Sequence, residues 1–376
     1  MAFALTGGRI FDGDNIHADL AVIVEESRIA DVIASSRITP GIERRELSGG
    51  LLVPGFIDVQ VNGGGGALLN ENPSVETVKR IAASHRKFGT TGLLPTVITD
   101  APEILEGAID AVREARAAGV PGVLGIHIEG PFLDAARKGA HDAGFIRAMT
   151  EADVARLAHV DCGIVMLTLA PNKVAPELIG KLAAAGLLVS LGHSEATAAE
   201  AQTALAAGAR SFTHLFNAMS QMTGREPGMA GAALADTGSY CGIIADGHHV
   251  HDAALKVALA AKPHNRMVLV SDAMPTAARG PDRFELQGRT VTRRDGRLQL
   301  EDGTLAGSNL TMDEAVRYCT QRLGVSLEDA LRMASLNPAA LLKRDHELGR
   351  IAPGYLASLV HLSDDLQVLQ TWIDGT

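Results

Sequence analysis

Between Phe56 and Asp272, short apolar runs alternate with stretches in which apolar residues recur every three or four positions. The runs Phe56–Val61, Thr91–Pro95, Val123–Glu129, Ile164–Leu169, Leu187–Gly192, Ser211–Leu215, Tyr240–Ala245 and Met267–Asp272 read as buried strands. Periodic stretches between them read as helices: Val75–Lys87, Ala101–Ala118 with Pro102 suited to a first turn, Ala175–Ala185 and Thr197–Ala207. Alternating β and α segments imply parallel strands with helical crossovers. About eight such units predict an α/β fold of the closed (β/α)8 TIM-like barrel type, with functional residues where strands end.

The two ends of the chain follow another rhythm. Residues 1–53 hold short apolar runs separated by Gly and Asp-Gly turns, and the pattern returns from Leu348 to Thr376. Together they predict a small β-sandwich domain built from residues 1–53 and 346–376, beside a barrel of residues 54–345. Phe284–Leu300 alternates around Arg294-Asp295-Gly296, a hairpin signal. Two helices are expected after it, Met312–Leu323 and Leu327–Ser335, the second capped by Ser326.

Composition narrows the partners. Hydrophobic residues make up 46% and charged residues 21%, ordinary for a globular enzyme or binding protein. With 34 basic against 44 acidic residues the formal charge is −10, and no basic cluster stands out, which argues against nucleic acid as a partner. A small anionic substrate stays compatible, because charge inside a pocket can oppose the global sign. Cys162, Cys241 and Cys319 are widely spaced and odd in number, so no disulfide framework or metal-binding CxxC is expected. Met1–Ile10 has no basic leader, and no apolar stretch is long enough to cross a bilayer. A soluble cytoplasmic protein is the expectation.

Four strand candidates end on chemistry-bearing side chains: Glu129, His193, His214 and Asp272. A carboxylate at the end of a buried strand is costly unless a cation meets it. Two neutral imidazoles and one carboxylate are a ligand set for a catalytic zinc with an open position. Each histidine alone reads as a satisfied structural residue; their recurrence at separate strand ends favours a shared metal site. Asp272 reads either as a general base for metal-activated water or as a cap on the segment that follows it.

Longer strings carry a resemblance. Pro54-Gly55-Phe56-Ile57-Asp58, His127-Ile128-Glu129-Gly130-Pro131, Leu191-Gly192-His193-Ser194, Thr213–Met219, Gly224–Gly228, Asp246-Gly247-His248-His249 and Ser271-Asp272-Ala273 occur in this order. In them the chain resembles the N-acetylglucosamine-6-phosphate deacetylases of the amidohydrolase superfamily. The resemblance implies that Glu129, His193 and His214 bind the metal and that Asp272 is the acid/base. It implies that His141 polarises the acetamide carbonyl, and that Arg225 and His249 hold the sugar phosphate, one of them across a dimer interface. Ala140, Asn217, Ala218, Leu305, Ala306 and Gly307 are the further substrate contacts it implies. The expected reaction is hydrolysis of a phosphorylated amino sugar in amino-sugar catabolism and cell-wall sugar recycling, by a homodimer.

One departure matters. Many amidohydrolases carry His-x-His on the first strand, supplying a second metal; this chain has Gln60-Val61-Asn62. Amide oxygens are poorer ligands than imidazole for a transition metal. One divalent metal per chain is therefore expected, zinc first, with iron(II), cobalt(II) or manganese(II) as alternatives. His127 is expected to pack or support rather than ligate, while His248 and His251 are left open. A deacetylase of the galacto epimer and a cyclic amidase are the alternative enzymes. A non-catalytic scaffold would have lost the ligands and the base, all of which are present.

Overall fold

The computed structural model describes residues 2–376. Eight parallel strands follow one another around a single sheet: Phe56–Val61, Thr90–Ile98, Gly125–Glu129, Ile164–Leu169, Leu188–Leu191, Ser211–Phe212, Tyr240–Ile243 and Met267–Leu269. All of their residues except Ile164 are buried, which explains continuous rather than alternating apolar runs. The first and last strands meet at their C-terminal ends. Asp272 N donates to Gln60 O at 2.9 Å, and Asn62 N donates to Ala273 O at 2.9 Å. The expected barrel is present, and its seam lies beside Asp272.

Three strands stop sooner than their apolar runs suggest. Leu188–Leu191, Ser211–Phe212 and Met267–Leu269 end before His193, His214 and Asp272. These three residues have φ of +47°, +30° and +52°. Left-handed backbone cannot continue a ladder and costs a non-glycine residue roughly 1–3 kcal/mol. The second strand, Thr90–Ile98, instead runs on past Pro95, where a register shift between Leu93 and Pro95 accommodates the ring.

Helix starts follow local chemistry. The side chain of Ser74 accepts from Thr77 N ahead of Val75–Arg86, and Thr197 forms a capping box with Glu200 ahead of Ala198–Ala206. Pro102 occupies the first turn of Pro102–Ala117, and Ser326 caps Leu327–Ala334. The expected helix Met312–Leu323 is α-helical only to Tyr318, then widens into a π-turn over Cys319–Leu323. Gly228–Ala235 has no polar stripe, being buried up to Leu234, and so gave no periodic signal.

The chain ends form two sheets. Arg28–Ala34, Leu20–Glu25, Ala2–Thr6 and Glu43–Glu46 make one; in the other, Leu359–Leu362 lies between Leu51–Pro54 and Val368–Trp372. Phe3, Val22, Leu52, Leu359 and Trp372 share one apolar cluster. A further antiparallel sheet, Arg283–Leu286, Arg289–Arg294 and Arg297–Gln299, includes the expected hairpin at Asp295-Gly296. It is tied to the barrel mouth, where Gln287 Nε2 donates to Thr99 O at 2.7 Å. The three cysteines are buried and unpaired, and no helix among the described residues is long and apolar enough to cross a membrane.

Gly125 shows how tightly the barrel wall is built, since a Cβ there would lie 1.9 Å from Ile164 O. Gly125→Ala should lower stability by about 1–3 kcal/mol or more through overpacking. A urea midpoint equal to that of the parent chain would contradict this packing.

Candidate active site and metal centre

Glu129 ends the third strand, and His193, His214 and Asp272 follow the fifth, sixth and eighth. All four are nearly inaccessible, at 2%, 5%, 4% and 9% exposure, so their charges must be met inside the protein. Glu129 Oε1 lies 3.2 Å from His193 Nε2 and 3.1 Å from His214 Nε2, and the two nitrogens are 3.0 Å apart. His193 Nδ1 sits 2.9 Å from the carbonyl of Arg137. A carbonyl only accepts, so a neutral His193 carries its proton on Nδ1 and turns a lone pair inward from Nε2. Donors 3.0–3.2 Å apart are spaced like the corners of a small coordination polyhedron. Three such donors converging in a buried place fit a divalent cation with tetrahedral bonds of about 2.0 Å.

The electrostatics separate the two carboxylates. Burial opposes the charge of Glu129, but the contacts and charge of His193 and His214 together outweigh it and hold its carboxyl well below the usual range. His214 is displaced upward: burial pulls it down, and Glu129 more than compensates. For Asp272, burial and then the charge of Glu129 push the carboxyl up to about 6. Its Oδ1 accepts from Asn62 Nδ2 at 2.7 Å and from Gln60 Nε2 at 3.2 Å. Gln60 Nε2 also reaches Glu129 Oε1 at 3.2 Å. The two first-strand amides therefore serve the carboxylates.

His141 stands on the other side of Glu129. Its Nε2 is 4.0 Å from Glu129 Oε2, its ring is edge-on to His193, and Nδ1 lies 2.9 Å from Thr99 Oγ1. Burial, reinforced by His193, lowers its pKa to about 3, so the ring is neutral. His127 spends both nitrogens on the barrel interior, with Val59 O at 2.9 Å and Thr168 Oγ1 at 2.7 Å. Burial keeps it neutral too, with a pKa of about 4.

A cavity of about 410 Å³ opens over these groups. Of the expected substrate contacts, Ala140, His141, Asn217, Ala218 and His249 line it, as does the segment Leu305–Gly307. Asp246 Oδ2 lies 2.7 Å from His249 Nδ1; burial raises its carboxyl, but that contact, the charge of His249 and the backbone N–H groups of His248 and His249 together lower it. Arg225 is not brought to this cavity within one chain. It is exposed on the loop 221–227, which Glu226 pins down by accepting from Ala198 N and Gly228 N. Arg137 does line the cavity and pairs with Glu195, although only a basic pair in the loop after Glu129 marked it in the sequence. His248 lies beside Arg297, and His251 caps the helix Asp252–Ala261, so neither joins the Glu129/His193/His214 cluster.

Residues 51–376 match the Amidohydrolase family, and residues 2–52 match the NagA composite domain. The chain belongs to the amidohydrolase family. An N-acetylgalactosamine-6-phosphate deacetylase of Shewanella sp. (strain ANA-3) is 43% identical, over 98% of this chain and 94% of that protein. A crystal structure of N-acetylglucosamine-6-phosphate deacetylase from Pasteurella multocida is 35% identical, with a TM-score of 0.97 over 100% of this chain and 99% of that one. A mutant N-acetyl-D-glucosamine-6-phosphate deacetylase of Mycobacterium smegmatis, solved in complex with N-acetyl-D-glucosamine-6-phosphate, is 30% identical. It has a TM-score of 0.92 over 100% of this chain and 98% of that one.

Gln60 and Asn62 spend their amide N–H groups on the carboxylates, Asn62 on Asp272 and Gln60 on both Asp272 and Glu129. This leaves Glu129 as the one carboxylate in the ligand cluster. Glu129→Gln should keep the fold and lose an added divalent cation on dialysis. A cation retained as in the parent chain would refute the ligand assignment.

Proposed function

We propose that the chain hydrolyses the acetamide of N-acetyl-D-glucosamine 6-phosphate, giving D-glucosamine 6-phosphate and acetate. The observation that carries this reading is one cavity holding the Glu129/His193/His214 cluster, a raised Asp272 and a neutral His141. Likeness over the whole chain to a deacetylase solved with this sugar phosphate supports the substrate. Glu129, His193 and His214 would hold one divalent cation, which we take to be zinc. Bound there, the cation supplies Lewis acidity, lowering the pKa of water and polarising a carbonyl.

The protein's own groups do the rest. Asn62 and Gln60 occupy Asp272 Oδ1, leaving Oδ2 to take a proton from the attacking water. His141 Nε2 steadies the oxygen that gains charge as the carbonyl carbon becomes tetrahedral. The C–N bond then breaks, Asp272 returns the proton to the departing amine, and acetate is left. Ala140, Asn217, Ala218, His249 and Leu305–Gly307 position the sugar and its phosphate. We assign Arg225 to the phosphate of a neighbouring copy in a homodimer, since its loop is exposed. We further take residues 1–53 and 346–376 as one small domain, and the cytoplasm as the compartment, where buried free thiols persist.

A second reading, the galacto epimer, is favoured by the 43% identity to the Shewanella protein. Turnover of both epimeric sugar phosphates separates the two: a higher kcat/KM for the gluco sugar is expected, and the reverse order would favour the second reading.

Asp272→Asn should keep bound zinc and lower kcat by about 10²-fold or more; near-parent turnover would overturn the assigned role. The base must be ionised to act, so activity should fall as pH drops through the pKa of Asp272. Without a cation that pKa is about 6, and a bound cation moves it lower. A pH–kcat/KM profile with its acid limb above neutrality would contradict this.

A further inference from the structure

One hydroxyl proton decides what His141 can do. Thr99 follows the second strand, is fully buried, and packs so closely on the backbone after Glu129 that a Cβ on Gly130 would lie 2.1 Å from Thr99 Oγ1. Thr99 O accepts from Gln287 Nε2 at 2.7 Å, so the sheet at the barrel mouth holds the same residue from outside. Its Oγ1 has two neighbours that could take its single proton: His141 Nδ1 at 2.9 Å and the carbonyl of Glu129 at 3.3 Å.

The choice is chemical. If the proton went to the Glu129 carbonyl, Nδ1 of a neutral His141 would have to be the N–H. Nε2 would then face the ligand cluster as a lone pair, fit to ligate but not to donate. If it goes to His141 Nδ1, Nε2 carries the N–H. Two distances favour the second arrangement. At 3.3 Å the contact to the Glu129 carbonyl is long for an O–H···O bond, whereas 2.9 Å to His141 is ordinary. Nε2 also lies 4.0 Å from Glu129 Oε2, where an N–H is attracted and a lone pair repelled.

We propose that Thr99 is a positioning residue that donates to His141 Nδ1, fixing the tautomer in which His141 Nε2–H can donate to the substrate carbonyl oxygen. This rests on the deacetylase reading, in which that oxygen gains negative charge during attack. Thr99 does not line the cavity and acts only through His141.

The test uses the zinc-loaded full chain and the variants Thr99→Val, which keeps the shape without the hydroxyl, and Thr99→Ser, which keeps the hydroxyl. Thr99→Val should retain zinc and KM while kcat falls on the order of 10²-fold, the loss expected when an oxyanion donor is removed. Thr99→Ser should restore most of the rate. Long-range ¹H–¹⁵N spectra of the histidine-labelled chain, with His141 assigned by its loss in His141→Gln, should show Nε2–H in the parent and a shift toward Nδ1–H in Thr99→Val. Nδ1–H in the parent, undiminished kcat in Thr99→Val, or no rescue by Thr99→Ser would each overturn the proposal. If neither epimeric sugar phosphate is turned over, the deacetylase reading fails, while the spectra still decide the tautomer.

Discussion

The site depends on keeping two buried carboxylates apart in role while they sit side by side. Glu129 Oε1 and Asp272 Oδ1 are both 3.2 Å from the same amide nitrogen, Gln60 Nε2. His193 and His214 hold the first carboxyl well below the usual range, while burial and Glu129's charge raise the second to about 6. A ligand needs the first condition and a base that must both take and return a proton needs the second. The same residue closes the barrel, since Gln60 O accepts from Asp272 N. The fold's seam and a donor to both carboxylates therefore share one short stretch of the first strand.

Around that stretch, backbone strain places the remaining groups. His193, His214 and Asp272 all sit in left-handed backbone immediately past their strands, where the barrel's packed interior gives way to the cavity. Such conformations persist only where surrounding structure overdetermines them. Here the restraints are visible in the backbone: Asp134 N donates to His193 O, Asn217 N to His214 O, Asp272 N to Gln60 O and Ser308 N to Asp272 O.

Much of this was legible in the sequence because burial writes itself as hydrophobicity. The eight strands, the hairpin at Asp295-Gly296 and the four polar strand ends all follow from runs and breaks in apolar residues. The exact ends of the strands did not, because His193, His214 and Asp272 leave the ladder through backbone torsion, which no side-chain pattern records. Gly228–Ala235 was hidden by being apolar on nearly every side. Thr99 and Arg137 were hidden because a threonine at a strand end and an arginine in a loop are ordinary until their neighbours are known. Arg225 is the reverse case: its motif pointed to a phosphate contact, one that could come from across a dimer interface, and within one chain its loop stays outside the cavity.

The central claim is that Gln60 and Asn62 replace a second ion with hydrogen bonds to the base, leaving one cation on Glu129, His193 and His214. Titrating chelator-stripped protein with zinc, while following turnover and then anomalous diffraction at the zinc edge, tests it directly. Activity saturating at one ion per chain, with a single anomalous peak between those three ligands, is the predicted result. A second tightly held ion beside Gln60 and Asn62, required for full activity, would contradict it.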